Sequence, residues 1–190
     1  GDLPSGEKEM VSIDEGIRFD ASLESLSGLK TLSDDGVLTA GSSSQICDGA
    51  AAIMIVNDAG LEKLGLKPRA KIVSLALAGD DPVIMLTGPI PASKTVLEKA
   101  DLSIEDMDLY EVNEAFAPVP LAWAHELKAD KEKLNVNGGA MALGHPLGGT
   151  GAKLMTTLLH ELERREGKYG LQAICEGGGT ANALIIERLN

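Results

Sequence analysis

Aromatic side chains are scarce in this sequence, since Phe, Tyr and Trp together make up 3% of its 190 residues. So few rings argue against an aromatic-rich binding surface. Long apolar runs are missing as well. The longest, residues 50–56, is far too short for a bilayer, which takes about 20 apolar residues. With no charged-then-apolar leader in view, we expect neither a membrane anchor nor a signal peptide.

Basic side chains are few, with 17 Lys and Arg against 29 Asp and Glu and a net charge of −12. A phosphate backbone requires clustered Lys and Arg, so nucleic acid is not an expected partner, although one or two Arg could still hold a nucleotide phosphate. The two cysteines, Cys47 and Cys175, stand 128 positions apart without companion metal ligands. They predict neither a disulfide framework nor a zinc site, and they favour a reducing compartment, the cytoplasm.

Apolar residues reach 44% and glycines number 22, which is typical of a close-packed α/β domain with many turns. Residues 1–46 are polar and loop-like, with one short helical turn at 22–29. Beyond them we expect strands at 50–56, 70–76, 108–112, 171–175 and 182–187, the last two forming a hairpin, and helices at 58–65, 91–100 (with Ser93 as its cap), from about 117, and 151–166.

A glycine-rich segment, residues 135–151, has six glycines in seventeen positions and leads into the clearest helix. It lacks both G-x-G-x-x-G after a strand and G-K-[ST], so a nucleotide-phosphate loop is weakly supported. Its His145 is fixed by Pro146 and flanking glycines. Such a histidine is either structural or a proton shuttle or oxyanion donor, and the residues alone leave both open.

Two further residues stand at strand ends. Cys175 closes an apolar strand and precedes three glycines; a free Cys is ordinarily a small buried hydrophobe, but exposed N–H groups in the following turn could stabilise a negative oxygen beside a proton-transferring thiol. Asn113 also ends a strand, where an Asn usually caps the next helix.

Taken together, these segments resemble the carboxy-terminal half of the thiolase family. The matching motifs are Asn113-Glu114-Ala115-Phe116, Gly144-His145-Pro146 and Cys175-x-Gly177-Gly178, with Ala40-Gly41-Ser42-Ser43-Ser44, Asp48-Gly49-Ala50 and Thr87-Gly88-Pro89-Ile90-Pro91-Ala92 upstream. The resemblance covers nearly the whole chain. It implies a layered αβα fold with a mixed sheet, in which residues 1–46 are the remainder of the loop region that binds CoA, residues 47–68 are the closing strand and helix of the first core domain, and residues 69–190 are the C-terminal domain.

The resemblance also implies an activity. Thiolases cleave 3-ketoacyl-CoA with a second CoA, or condense acyl-CoA units, through an acyl-cysteine. By resemblance, His145 helps to activate the nucleophilic thiol and contributes to the first oxyanion site, and Asn113 holds a water that supplies that site's other donor. Cys175 moves the α-proton, and the N–H of Gly177 contributes to the second oxyanion site.

For coenzyme A, which is a substrate here, the family correspondence places Arg18 and Ser25 near the adenine nucleotide. It places Ser44 at the pantetheine amide, and Ala115 and Phe116 along the pantetheine channel. No metal or organic cofactor is implied. A softer resemblance, in residues 43–46 and 159–164, is to thiolases of bacterial lipid and steroid catabolism.

One part of the family pattern is missing, because no residue matches the nucleophilic cysteine of the amino-terminal half. Cys47 stands outside that motif, and we interpret it as a packed structural residue. We therefore expect the chain to need a missing amino-terminal half, to be inactive alone, and to assemble as a homodimer or homotetramer. The alternatives are a ketoacyl synthase relative, disfavoured by Cys175, and a non-catalytic acyl-CoA-binding or assembly subunit.

Overall fold

The computed structural model describes residues 6, 8 and 10–189, and every strand within them lies from residue 70 onward. The helices are α1 (Leu23–Ser27), α2 (Asp58–Leu64), α3 (Pro89–Ala100), α4 (Pro118–Leu127), α5 (Ala140–Leu143) and α6 (Thr150–Arg165). The strands are β1 (Ala70–Gly79), β2 (Leu109–Val112), β3 (Tyr169–Glu176) and β4 (Thr180–Arg188). Most of the predicted elements are thus confirmed to within a few residues.

The four strands form one mixed sheet in the order β1-β4-β3-β2. The predicted hairpin is confirmed, because β3 and β4 run antiparallel and β4 pairs with β1 in the same sense. Strand β2 lies parallel to β3, with Val112 opposite Ala173. Parallel neighbours end at the same edge of a sheet, so the residues that follow β2 and β3 emerge side by side.

Helices pack on both faces of the sheet. Helices α3 and α4 pack on one face through Val96, Leu97 and Trp123, which join the inward side chains of all four strands in the larger core cluster. Helix α6 packs on the other face, against β2, β3 and β4, through a buried apolar stripe at helical spacing: Leu154, Met155, Leu158 and Leu162. Helices on both faces of one sheet give the layered αβα arrangement that the resemblance implies, although Leu75 and Leu77 of β1 remain 60% and 76% exposed.

Local signals explain where several helices begin and end. Gly65 closes α2 in the left-handed conformation, with φ of 61°, as expected of glycine at that position. Helix α4 begins at Pro118, whose missing N–H would have no partner in a first turn. In α6, Glu161 accepts hydrogen bonds from Arg165 and, at 2.7 Å, from Arg164.

Two predictions about local structure are wrong. Residues 50–56 form no strand, and Met54 and Ile55 are 71% and 73% exposed. A strand requires a neighbour for its N–H and C=O groups, and among the described residues no strand lies beside this segment. Ser93 is not a cap, because α3 begins at Pro89 and Ser93 is the fifth residue of the helix. Its buried hydroxyl accepts a 2.8 Å hydrogen bond from Trp123 Nε1. Among the described helices, none is both long and apolar enough to cross a membrane.

Candidate active site

A hollow of about 500 Å³ opens at the edge of the sheet where β2 and β3 end. Seven of the nine site residues proposed from the sequence line it: Ser44, Asn113, Ala115, Phe116, His145, Cys175 and Gly177. They come from four separate stretches of chain. The structure therefore brings together all four residues for which chemistry is predicted and three of the five assigned to CoA.

Asn113 and Cys175 are in direct contact. The Nδ2 of Asn113 donates a hydrogen bond to the Sγ of Cys175 over 3.6 Å, and both side chains are buried. The Oδ1 of Asn113 is buried as well and has no partner among the described residues. Because a buried polar atom without a partner is costly, this oxygen is a ready acceptor for a water or a ligand group.

The ring of His145 is held by the buried hydroxyl of Thr150, whose Oγ1 lies 2.6 Å from His145 Nδ1. That hydroxyl also donates to the carbonyl of Pro146 at 3.0 Å. A hydroxyl has a single proton to give, so as long as Thr150 donates it to Pro146, its Oγ1 accepts from Nδ1–H. In the neutral ring the free lone pair is then on Nε2, which suits a proton acceptor.

Two titratable groups of the hollow, His145 and Cys175, favour their neutral forms. Burial, chiefly, and the positive charge of Lys153 lower the pKa of His145. Burial raises the pKa of the Cys175 thiol, with a smaller contribution in the same direction from the Glu176 carboxylate, although the hydrogen bond from Asn113 opposes it. A neutral imidazole and a neutral thiol can accept and donate a proton respectively, which is the pairing that general acid–base chemistry needs.

An upstream segment, residues 42–46, joins the turns that carry Asn113 and His145. Its Ser44 N–H donates to the carbonyl of Ala115 at 3.0 Å. Two residues later, Ile46 lies beside His145 in a parallel bridge, and the His145 N–H donates to the carbonyl of Gln45 at 2.7 Å. This segment therefore fixes the spacing of the two turns through backbone contacts.

The turn between β3 and β4 supplies the backbone groups of the opposite wall. No hydrogen bond of the described turns and loops uses the N–H of Gly177, so it is available to a bound oxygen. Gly179 has φ of +81°, and a Cβ there would come within 2.6 Å of the carbonyl oxygen of Asp80. Only glycine fits both the conformation and the contact, which ties this turn to the loop after β1.

Sequence reasoning missed several residues of the site. The apolar side chains of Met85, Leu86, Leu147 and Ile174 also line the hollow, as does Glu176, whose side chain is exposed. Thr150 was also missed, although it stands five positions after His145 at the start of the clearest helix. That short spacing was the one signal that could have pointed to it.

Other predicted residues lie outside the hollow. Arg18 and Ser25 are exposed, and Ser25 is occupied in capping α1 with Ser22. Cys47 is half-buried and its Sγ fills the space where a side chain on Gly144 would lie. Within the described residues, no group of three or more His, Cys, Asp or Glu is placed to hold a metal ion.

Two protein-family models match this chain. The model described as thiolase, C-terminal domain, matches residues 66–188, and the model described as thiolase, N-terminal domain, matches residues 3–59. A steroid 3-ketoacyl-CoA thiolase of Mycobacterium tuberculosis is 57% identical over 177 residues, which are 93% of this chain and 43% of that protein. An acetyl-CoA acetyltransferase of Cupriavidus necator is 47% identical over 184 residues, covering 96% of this chain and 47% of that one.

Solved structures give the same result. The crystal structure of the Bacillus anthracis acetyl-CoA acetyltransferase matches with a TM-score of 0.89 at 47% identity, over 93% of this chain and 45% of that one. Human mitochondrial 3-ketoacyl-CoA thiolase in complex with CoA matches with a TM-score of 0.86 at 44% identity, over 95% and 46%. The chain spans less than half the length of each of these relatives, and it belongs to the thiolase family.

Proposed function

We propose that this chain is the acid/base and oxyanion-binding half of a thiolase that cleaves 3-ketoacyl-CoA with CoA or condenses acyl-CoA units. The observation that carries the proposal is the convergence of Asn113, His145, Cys175 and Gly177 on one hollow. Together these residues provide a base, an acid and fixed hydrogen-bond donors, which enolate formation and acyl transfer require.

In cleavage, the neutral His145 accepts through Nε2 the proton of the nucleophilic thiol, which is supplied by residues outside this chain. The thiolate attacks the 3-keto carbonyl, and the departing enolate takes its proton from the Cys175 thiol. A water held at the unpaired Oδ1 of Asn113, together with the protonated ring of His145, stabilises the enolate oxygen. The N–H of Gly177 serves the acyl-enzyme oxygen. Losing one such donor costs about 3 kcal/mol in a typical enzyme.

The proposed substrate is a 3-ketoacyl-CoA, with coenzyme A itself as the acceptor and no metal or organic cofactor in the acyl transfer. Ser44, Ala115 and Phe116 line the hollow and would contact the pantetheine arm, while Arg18 and Ser25 would face the adenine nucleotide. The 57% identity to a relative named a steroid 3-ketoacyl-CoA thiolase supports a steroid-derived acyl group.

The same proposal includes the rest of the enzyme. Residues 1–46 belong to the CoA-binding loop region, residues 47–68 to the end of the first core domain, and residues 69–190 to the second. An amino-terminal half adds the nucleophilic cysteine, and the complete protein forms a homodimer or homotetramer in the cytoplasm. Two free cysteines fit such a reducing compartment.

The test is the rate of 3-ketoacyl-CoA cleavage by a full-length protein that carries these residues. Changing Cys175→Ala should lower kcat by a factor of about 100 to 10,000, the usual worth of a positioned proton donor. The matched control is Cys47→Ala, which removes the other thiol of the chain and should leave kcat within a small factor. Cleavage that survives Cys175→Ala unchanged would contradict the acid/base assignment and favour a non-catalytic CoA-binding subunit.

A further inference from the structure

Glu114 stands next to Asn113 in the turn after β2, and nothing in the proposed mechanism uses it. Its side chain is only 9% exposed. One carboxylate oxygen, Oε1, accepts a hydrogen bond from Asn135 Nδ2 at 2.8 Å, and the other, Oε2, accepts from the N–H of Met141 at 3.1 Å. A buried carboxylate with two donors is held in one position.

The side-chain amide of Asn135, which is the first donor, cannot exchange the positions of its oxygen and its NH₂ group. Asn135 pairs with the edge of β2 as a neighbouring strand residue would: its Oδ1 accepts from the Val112 N–H at 2.8 Å, and its Nδ2 donates to the Val112 carbonyl at 2.9 Å. Rotating the amide would place donor against donor and acceptor against acceptor. The second hydrogen of Nδ2 therefore always points at Glu114, which must present an acceptor.

The second donor belongs to α5, the single turn of helix that precedes the loop of His145. Met141 is its second residue, and the helix ends two residues before His145. The Glu114 carboxylate also occupies the place where a side chain on Gly139 would lie. The side chain of Glu114 thus binds both Asn135, beside the turn that carries Asn113, and Met141, in the helix just before the loop that carries His145.

We infer that Glu114 is a positioning residue, whose two acceptor oxygens set the placement of His145 relative to Asn113 and Cys175. The inference rests on the proposed thiolase function. It predicts that a carboxylate, and not merely a side chain of that size, is required. A glutamine has one oxygen and one NH₂ group, so it would leave a donor facing either Asn135 or Met141.

The test is Glu114→Gln in a full-length protein that carries these residues, with Glu98→Gln on the exposed side of α3 as the matched control. We expect kcat for 3-ketoacyl-CoA cleavage to fall about tenfold or more, because a misplacement of about 1 Å can cost up to 100-fold. The KM for CoA should change by less than about threefold, since pantetheine contacts are unaffected. Hydrogen exchange in the peptide spanning residues 138–145 should be faster in Glu114→Gln than in the parent.

Gly139→Ala is a second variant that reaches the same carboxylate from the opposite side. The backbone of Gly139, with φ of −120°, accepts alanine without strain, so the added methyl acts only by displacing Glu114, and the same loss of kcat is expected. Unchanged exchange in Glu114→Gln overturns the inference, and so does faster exchange with kcat within twofold of the parent. An inactive parent would refute the thiolase function instead, and exchange would then decide by itself whether Glu114 holds the loop.

Discussion

Asn113 Nδ2 lies 3.6 Å from Cys175 Sγ, although 62 positions separate the two residues. The register of β2 against β3 brings them together, because Val112 lies opposite Ala173 and both strands end at the same edge of the sheet. The contact stabilises the thiolate, whereas burial of Cys175 opposes it more strongly. The balance leaves a thiol that is protonated at neutral pH and close to an amide.

The first prediction concerns the reactivity of Cys175. Its alkylation by iodoacetamide should rise with pH and reach its midpoint above the pH usual for a free cysteine thiol, because burial raises the pKa of Cys175. Asn113→Leu should move the midpoint higher, since the hydrogen bond that favours the thiolate is lost. Peptide-resolved mass spectrometry of a full-length protein measures the alkylation of Cys175 at each pH, and alkylation of the Cys47 peptide controls for the reactivity of the reagent. A midpoint below the ordinary value would contradict the neutral-thiol assignment.

The second prediction concerns the tautomer of His145. Thr150→Val keeps the shape of the side chain but leaves Nδ1–H without its acceptor, while the Pro146 carbonyl keeps the backbone N–H donors of Gly149 and Thr150. An orphaned buried donor costs about 1–3 kcal/mol, so kcat for cleavage should fall by about one order of magnitude. Thr150→Ser restores the hydroxyl and should recover most of the rate. Equal rates in Thr150→Val and the parent would show that this contact does not govern the ring.

The third prediction concerns the buried carboxyl of Glu111, between the sheet and α6. Burial, with help from Glu114 and Glu161, raises its pKa from 4.5 to about 8, while Lys153 opposes the shift. An unfolded chain would lose this proton near 4.5, so the folded state binds more protons between these values and its stability falls as pH rises through that window. Above about pH 8 the folded state has lost all of the stability that depends on this proton.

Glu111→Gln removes the titration and should therefore stabilise the protein relative to the parent, increasingly from about pH 5 to about pH 8. One pKa unit corresponds to about 1.4 kcal/mol, and we expect at least that difference at the alkaline end. The new amide can donate to Gln172 Oε1, a buried oxygen with no partner among the described residues. Thermal unfolding across this pH range measures the effect. A difference that does not vary with pH would refute the raised pKa.

The fourth prediction is that the 190-residue chain alone does not cleave 3-ketoacyl-CoA. His145 and Cys175 can move protons, but Cys47 lies outside the hollow that they line, so the chain has no thiol placed to carry the acyl group. A separately expressed amino-terminal thiolase half should restore measurable cleavage when it is added. Intact-mass analysis confirms which polypeptide is assayed, and turnover by the isolated chain would refute the half-enzyme interpretation.

Local patterns were sufficient for most of the secondary structure. The apolar stripe of α6 has helical spacing, Gly65 and Pro118 mark helix ends, and the three glycines after Cys175 mark the hairpin turn. Residues 50–56 show the limit of the same reasoning. Their apolar, β-branched composition predicts a strand, but a strand forms only beside another, and none of the described strands lies there.

The sequence by itself determined the family motifs and their order, because each motif is a short run whose chemistry and turn geometry are local. The tertiary structure alone decided how those motifs meet. Strand register places Asn113 against Cys175, a hydroxyl at the start of α6 contacts the ring of His145, and a carboxylate beside Asn113 binds the helix that precedes that histidine. These relationships join residues from different elements, so they depend on packing, which no single stretch of sequence specifies.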